Sequence, residues 1–235
     1  MNLGVIAAGD GQRLKDEGIS IPKPLIMVNG KTLLERLLLL AKKFGFESVN
    51  IIINENFKNE IEESGILDIY NDVKVNAIYD STPSSLHSLN KLKNLLSESN
   101  FCLMTIDSIF DTNEFEYFLN QAEGINGYDG LIAVTDYVDD EKPLWIKTDD
   151  KGIIRKFSSE RDGADFVTGG IYFFKKGVAG LTDKAIEKNL VKLRNFLQYL
   201  VEIGLNLKAV QFCKIIDVDH KTDIRQAEEF LQKKR

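Results

Sequence analysis

The chain contains few of the residues that form disulfide bonds or bind structural metal ions. Its 235 residues include two cysteines, two histidines, four prolines and one tryptophan. Cys102 and Cys213 are too few for a disulfide framework, and because each lies in an apolar run we expect both in the core. His87 and His220 are too few and too far apart in sequence for a zinc motif. The protein should therefore depend on an apolar core.

An excess of positive charge is also lacking. The chain has 36 acidic and 30 basic residues, a formal net charge of −6. A nucleic-acid partner would favour a basic face, so none is expected. No apolar run approaches the roughly 20 residues that span a bilayer, and the N-terminus does not have the pattern of a signal peptide. We therefore expect a cytoplasmic protein with neither a membrane nor a nucleic-acid partner.

The order of the apolar runs predicts the fold class. Short apolar runs alternate with segments that have leucines at helical spacing. This alternation is typical of an α/β domain with one doubly wound, Rossmann-like, mostly parallel sheet. The predicted strands are 3–8, 48–53, 73–79, 101–106 and 131–134, and the first predicted helices are 32–44, 57–64 and 86–96. We expect residues 1–235 to form one domain.

The pattern changes between residues 136 and 176. Three short strands separated by turns, at 144–147, 153–157 and 166–174, predict a small β-rich insertion on the substrate side of the domain. A long amphipathic helix is expected after Thr182. Its apolar face would carry Ile186, Leu190, Leu193, Leu197 and Leu200. Strands at 207–212 and 215–218 and a helix from residue 222 complete the prediction.

The most informative stretch follows the first predicted strand and runs from Ala8 to Leu14, Ala-Gly-Asp-Gly-Gln-Arg-Leu. Glycines at a strand end allow a sharp turn, and successive backbone N–H groups in such a turn bind phosphate oxygens. Arg13 and Lys23, separated by a polar loop that we expect to be mobile, would supply positive charge. Leu14 stands where the dinucleotide fingerprint has its third glycine, and no Gly-Lys-Ser/Thr follows, so neither that fingerprint nor a P-loop is present.

In these residues the chain resembles the sugar-phosphate nucleotidyltransferase superfamily. The pattern of that family is Ala-Gly-x-Gly-x-Arg-Leu, a variable loop, Pro-Lys-Pro-Leu, and a glycine before a leucine-rich helix. The matching segments here are 8–14, 22–25 and 30–36. The resemblance implies that Arg13 grips the β- and γ-phosphates of a nucleotide, that Lys23 stabilises charge on the reacting phosphates, and that the loop containing Ala8, Gly9 and Gly11 binds the nucleotide.

Two aspartates are candidate metal ligands. Asp107 and Asp219 each follow an apolar predicted strand, and ligands of open α/β sheets bind at the carboxyl ends of strands. Carboxylate oxygens suit Mg²⁺, which nucleotidyl transfer uses to neutralise phosphate charge. The resemblance implies the same pair, with Asp219 opening an Asp-x-x-x-Asp run that ends at Asp223. We therefore predict a Mg²⁺ cofactor on Asp107 and Asp219. Asp217 competes with Asp219, although we expect it to face the other side of the sheet.

The resemblance also implies residues for the acceptor and the base. Glu160 would accept hydrogen bonds from acceptor hydroxyls, beside Arg161 at a position where the family usually has lysine. Gly170 would let the acceptor approach the backbone. Ser84 and Ser85 open a helix where the family reads the nucleobase, although simple capping of that helix is an equal interpretation.

These observations predict an enzyme that moves a nucleoside monophosphate from an NTP to a phosphorylated acceptor, such as a sugar 1-phosphate, and releases diphosphate. Three alternatives stay open: a cytidylyltransferase for a phosphocholine-like alcohol phosphate, a GT-A glycosyltransferase, and a non-catalytic nucleotide-binding module. The first is favoured by the segment from Tyr137 to Trp145, whose aromatic and acidic side chains would suit a quaternary ammonium group. The sequence does not determine the nucleobase or the oligomeric state, and a homo-oligomer is one of the open alternatives.

Overall fold

The computed structural model describes residues 1–70 and 72–233, and a nine-stranded sheet lies at the centre of these residues. The strands are β1 (Asn2–Ala7), β2 (Met27–Val28), β3 (Lys31–Thr32), β4 (Ser48–Ile53), β5 (Val75–Tyr79), β6 (Phe101–Thr105), β7 (Ser108–Phe110), β8 (Gly130–Thr135), β9 (Trp145–Thr148), β10 (Ile154–Ser158), β11 (Phe166–Phe174), β12 (Leu207–Gln211) and β13 (Ile215–Asp217). Seven of them lie in the order β10-β9-β11-β6-β1-β4-β5, while β8 pairs with β11 and β12 pairs with β8.

The central strands of this sheet are parallel. β1 lies between β4 and β6, and β5 follows β4, all in parallel register. The long strand β11 runs antiparallel to β6 and β8, and β9 and β10 add an antiparallel edge. The β-rich segment 136–176 thus continues the main sheet. The predicted α/β fold with a largely parallel central sheet is confirmed.

Helices cover both faces of the sheet. They are α1 (Gln12–Asp16), α2 (Leu33–Lys43), α3 (Lys58–Glu63), α4 (Ile66–Ile69), α5 (Ser85–Leu96), α6 (Thr112–Glu123), α7 (Thr182–Glu187), α8 (Leu193–Glu202) and α9 (Lys221–Lys233). The hydroxyl of Thr32 accepts the N–H of Glu35 and so caps α2, and Asp111 caps α6 in the same way through Asn113. Hydroxyl and carboxylate caps satisfy N–H groups that have no partner within the helix. None of the helices in the described ranges has the length and hydrophobicity needed to traverse a bilayer.

The two faces follow from the alternation of side chains along each strand. Val5 and Ile51 belong to a buried cluster with the apolar side chains of α2 and α6. Their neighbours Ile6 and Ile52 belong to a second cluster, with those of α5 and α8. Successive strand residues point to opposite faces, so an unbroken apolar run on a central strand supplies both layers. This explains why the central strands lack polar alternation.

Two sequence predictions about this architecture are wrong. The long helix expected after Thr182 is two helices, α7 and α8, separated by a turn in which Asn189 has φ 60°. Asparagine tolerates this left-handed conformation, which ends a helix. Cys102 is buried as expected, but Cys213 is exposed because it lies in the bend after β12.

Candidate active site

A cavity of about 330 Å³ lies at the carboxyl end of β6, beside the segment that follows β1. Its walls come from segments that are far apart in the sequence. They include Arg13, Asp107, Gly170, Arg194, Asp217 and Asp219. In α/β sheets this is the edge where ligands bind, because the loops that follow parallel strands converge there.

The charged cluster of the cavity is centred on Lys23. Its Nζ atom lies 2.5 Å from Asp107 Oδ2 and 2.5 Å from Asp219 Oδ1. Arg13 Nη1 donates to the other oxygen of Asp219 at 2.8 Å. Lys23 is only 8% exposed and begins a short 3₁₀ helix, Lys23–Leu25. The expectation that Lys23 lies on a mobile polar loop is therefore wrong, because its pairing with two carboxylates offsets the cost of burial.

These contacts hold both partners in their charged forms. Burial by itself lowers the pKa of Lys23, but the negative charges of Asp107 and Asp219 and their hydrogen bonds outweigh it and raise that pKa. Burial would likewise raise the pKa of Asp107, yet the charge and hydrogen bond of Lys23 lower it below its ordinary value. A buried carboxylate and a buried ammonium thus stabilise one another.

Asp217 lines the same cavity as Asp107 and Asp219. Burial, and then the negative charge of Asp107, raise the pKa of Asp217 to about 8, and Ser108 Oγ donates to it at 3.1 Å. The expectation that Asp217 faces the other side is wrong. Residues two apart along an extended segment point the same way. The cavity therefore contains two buried carboxyl groups whose pKa values are shifted in opposite directions, upward for Asp217 and downward for Asp107.

The turn between β1 and α1 places the glycine motif next to this cluster. Gly11 has φ 64° and stands at the N-terminal end of α1, and Gly9 is exposed. Asn54 Nδ2 holds the turn through the carbonyl of Ala8 at 3.3 Å and the carboxylate of Asp10 at 2.7 Å. A left-handed backbone at Gly11 favours glycine, which adopts it without steric cost, so the turn and its exposed backbone follow from the motif.

The matching family model decides the family. A model described as nucleotidyl transferase matches residues 4–234. The chain belongs to the nucleotidyl transferase family. The resemblance that the N-terminal motif carries is thereby confirmed.

Individual relatives of this nucleotidyl transferase are distant. The bifunctional protein GlmU of Methanococcus maripaludis is 24% identical over 212 residues, which are 87% of this chain and 48% of the relative. The chain thus spans about half the length of that curated relative. An inositol-1-phosphate CTP transferase of T. maritima has a TM-score of 0.83 at 20% identity, over 99% of this chain and 95% of that one. A UDP-glucose pyrophosphorylase complexed with UDP-glucose has a TM-score of 0.76 at 15% identity, over 100% and 99%. These structures share the fold.

Both serines proposed to read the nucleobase contact the start of α8 or the residues just before it. Ser84 Oγ donates to the carbonyl of Val191, and Ser85 Oγ accepts the N–H of Leu193 at 3.0 Å. Ser85 lines the cavity of the nucleotidyl transferase, and Ser84 does not. Neither serine caps α5 through its side chain. The pair therefore joins the starts of α5 and α8, a role that sequence spacing does not reveal.

Two of the predicted acceptor residues lie outside the cavity. Glu160 and Arg161 are not among the described residues that line the cavity. Both border a separate shallow depression. The guanidinium carbon of Arg161 lies 5.1 Å from the centre of the Trp145 ring. Tyr137 lines the cavity, whereas Trp145 does not, and Lys214 Nζ lies 3.8 Å from the centre of the Tyr137 ring. The expected pairing of Tyr137 with Trp145 in one aromatic pocket is wrong, because Trp145 packs against Arg161 instead.

The third acceptor residue, Gly170, does line the cavity. It has φ 73° at the irregularity in the pairing of β11 with β8. A Cβ atom there would collide with Thr105 Oγ1 and would lie 2.6 Å from Ser108 Oγ. Glycine is thus required by the packing of β11 on the segment that carries Asp107.

Sequence reasoning did not find the contact that joins the two ends of the chain at the site. His220 Nδ1 lies 2.7 Å from Glu17 Oε1, and the backbone N–H of Lys221 donates to Glu17 Oε2 at 2.7 Å. The hydrogen bond with Glu17 raises the pKa of His220. Asp223 accepts the backbone N–H groups of Asp219 and His220. The Asp-x-x-x-Asp run was visible in the sequence. No sequence pattern indicated that Glu17, more than 200 residues away, would contact it.

Proposed function

We propose that the chain is a Mg²⁺-assisted nucleotidyltransferase that moves a nucleoside monophosphate from an NTP to a phosphorylated acceptor of the sugar 1-phosphate type and releases diphosphate. The observation that carries this proposal is the cluster in which Lys23 lies between Asp107 and Asp219, beside Arg13. Family membership supports the nucleotidyl transfer itself. We propose further that residues 1–235 act as one domain, with 136–176 on the acceptor side.

Asp107 and Asp219 fit a hard divalent cation. Their oxygens already share one cation, the Lys23 ammonium, and the buried oxygen Oδ1 of Asp107 has no hydrogen-bond partner among the described residues. Within residues 1–70 and 72–233 no group of three or more His, Cys, Asp or Glu side chains is arranged to enclose a metal. Two carboxylates suit Mg²⁺, which keeps several waters and takes phosphate oxygens as further ligands. Bound Mg²⁺ would neutralise charge on the reacting phosphates.

The protein groups would act by positioning and by charge. An oxygen of the acceptor phosphate attacks the α-phosphorus of the NTP, and the bond from that phosphorus to the β-phosphate oxygen breaks, so diphosphate leaves. The attacking oxygen is already ionised, and no general base is needed. Arg13 would hold the outer phosphates, and Lys23 would stabilise the negative charge that builds up at the reacting centre.

A polyol phosphate with CTP is the second candidate. The structural relative of highest TM-score among those described above is named an inositol-1-phosphate CTP transferase, which supports a cyclic alcohol phosphate as acceptor. The side chains of Asp139, Asp140 and Glu141 line the cavity and would accept hydrogen bonds from acceptor hydroxyls. A phosphocholine-type acceptor has less support, because Trp145 lies outside the cavity.

The deciding experiment is a matrix of four NTPs against acceptor phosphates with Mg²⁺ present. The acceptors are glucose 1-phosphate, N-acetylglucosamine 1-phosphate, inositol 1-phosphate, phosphocholine and phosphoethanolamine. Acceptor-dependent release of diphosphate supports the proposal, and Asp107→Asn serves as the inactive control. Release of a nucleoside diphosphate from a nucleotide sugar would instead indicate a glycosyltransferase, and turnover in neither assay would indicate a binding module.

A further inference from the structure

Two basic side chains line the cavity away from the Lys23 cluster. Lys192 precedes α8 and is exposed, and Arg194 lies in its first turn and is half-buried. Among the described residues, neither forms an ion pair with a carboxylate. Arg194 donates one hydrogen bond, to the carbonyl of Lys142 at 3.1 Å. A guanidinium has five N–H donors, so most of those on Arg194 stay available.

These cations differ from Arg13, which is already paired with Asp219. The remaining charged side chains of the cavity are mostly acidic, among them Asp139 and Asp140. Positive charge that is concentrated in one part of such a cavity favours the binding of an anion there. Lys192, just before α8, and Arg194, in its first turn, provide that concentration.

A buried hydroxyl adds a third donor. Tyr172 is 4% exposed and lines the same cavity, and its oxygen accepts a hydrogen bond from Thr168 Oγ1 at 3.3 Å. In the described part of the chain, no acceptor is found for the hydrogen of the Tyr172 hydroxyl. Burial raises the pKa of Tyr172 to about 12, with Asp217 and Asp107 acting in the same direction and Arg194 against it. The hydroxyl therefore keeps its proton at neutral pH and can donate it in a hydrogen bond.

The elements that carry these donors are rigid. The hydroxyl of Ser85 accepts the N–H of Leu193, which ties the start of α8 to the start of α5. Leu193 itself is buried, and Tyr172 lies on β11 within the main sheet. Donors on packed helices and strands bind with little loss of conformational freedom.

The residue expected from the sequence to supply charge at the acceptor does not reach the cavity. Arg161 is stacked on Trp145 and donates to the carbonyl of Ala164 at 3.2 Å. We propose that Lys192 and Arg194, with the Tyr172 hydroxyl, form the subsite that binds the phosphate group of the acceptor. This subsite is distinct from the Arg13–Lys23 site for the nucleotide phosphates, and the inference rests on the proposed function.

The test separates acceptor binding from nucleotide binding. With the acceptor found in the matrix assay, Lys192→Ala and Arg194→Ala should each raise KM for the acceptor by about 10- to 100-fold, the range for a lost charge-assisted hydrogen bond. KM for the NTP should change less than about twofold. Arg194→Lys should recover part of the loss, because it keeps the charge. Lys188→Ala is the matched control, since Lys188 is an exposed lysine of the preceding turn that does not line the cavity.

Two results would overturn the subsite in an active enzyme: a rise in KM for the NTP instead of the acceptor, or no change in either constant. If the wild-type protein transfers no nucleotide, the proposed function fails, and titration calorimetry with glucose 1-phosphate and inositol 1-phosphate still tests the subsite. Binding to the wild type that is lost in Arg194→Ala and kept in Lys188→Ala supports it. Equal binding by all three proteins, or no binding by the wild type, overturns it.

Discussion

Replacing Lys23 with methionine tests the charge balance of the cluster. Methionine is close to lysine in length but carries no charge, so the substitution removes the ammonium that lies between Asp107 and Asp219. The Asp107 side chain, 18% exposed, would be left in the interior without its cation, whereas the Asp219 side chain, 35% exposed, would keep part of its hydration and its pair with Arg13. Asp107 should then take up a proton.

The stability that Lys23→Met loses can be calculated from the uptake of that proton. An aspartate with a pKa of about 3.9 in the unfolded chain needs about 1.4 kcal/mol for each pH unit above that value to stay protonated, so about 4 kcal/mol at pH 7. This agrees with the roughly 3–5 kcal/mol that breaking a buried ion pair costs. The folded variant would hold a proton that the unfolded chain releases above about pH 4. Its deficit in the free energy of unfolding should therefore grow with pH, from about 1.5 kcal/mol at pH 5.

Urea unfolding at pH 5, 6 and 7 measures this deficit. The double variant Lys23→Met/Asp107→Asn should recover most of the lost stability at pH 7, because a neutral amide replaces the stranded carboxylate. Both variants should have kcat lowered by roughly two to three orders of magnitude, the scale for a lost electrostatic stabiliser. Lys42→Met, which breaks an exposed pair with Asp72, is the control and should change stability by less than about 1 kcal/mol. A deficit that is equal at pH 5 and pH 7, or no recovery in the double variant, would refute the reasoning.

Three further predictions follow from the site. Asp107→Asn and Asp219→Asn should each abolish most Mg²⁺-dependent activity, and the double variant should be little worse than either; additive losses would show that they do not hold one metal together. Gly170→Ala should lower the thermal midpoint well beyond Gly163→Ala, because both have φ 73° but only the first would place its Cβ against neighbouring hydroxyls; equal shifts would contradict this. An NMR titration should give His220 a pKa above 6.5, because a glutamate accepts its ring hydrogen bond, and a value at or below 6.5 would contradict that contact.

Apolar runs and leucine spacing in the sequence predicted the ends of some strands and helices well. The apolar run 48–53 is β4 with the same ends, and the leucine spacing at 86–96 marks α5 within one residue. Asp107 reaches the cavity as expected, two residues after the end of the central strand β6. Asp219 reaches it by another route, because β13 pairs with the short strand β7 and not with the main sheet. The position of Asp219 in the cavity was predicted correctly, but the strand pairing that places it there was not.

Patterns failed where the position of a side chain depends on distant partners. The family resemblance implied Arg161 at the acceptor site, and the phosphocholine-like alternative used Trp145, yet the two side chains stack on one another outside the cavity. The residues at the start of α8, among them Lys192 and Arg194, match no motif in the sequence that would indicate a place at the cavity. Their place at the cavity depends on the contact of Leu193 with Ser85, 108 residues earlier in the chain.

The choice between Asp217 and Asp219 as the second metal ligand shows why partners matter more than sequence position. The two residues are separated by one valine, and both line the cavity. Asp217 is hydrogen-bonded to the Ser108 hydroxyl, and burial, followed by the negative charge of Asp107, raises its pKa to about 8. Asp219 contacts the cations of Lys23 and Arg13 at 2.5 and 2.8 Å. Asp217 contacts a neutral hydroxyl, whereas Asp219 already faces two positive charges, and this difference supports Asp219 as the proposed ligand.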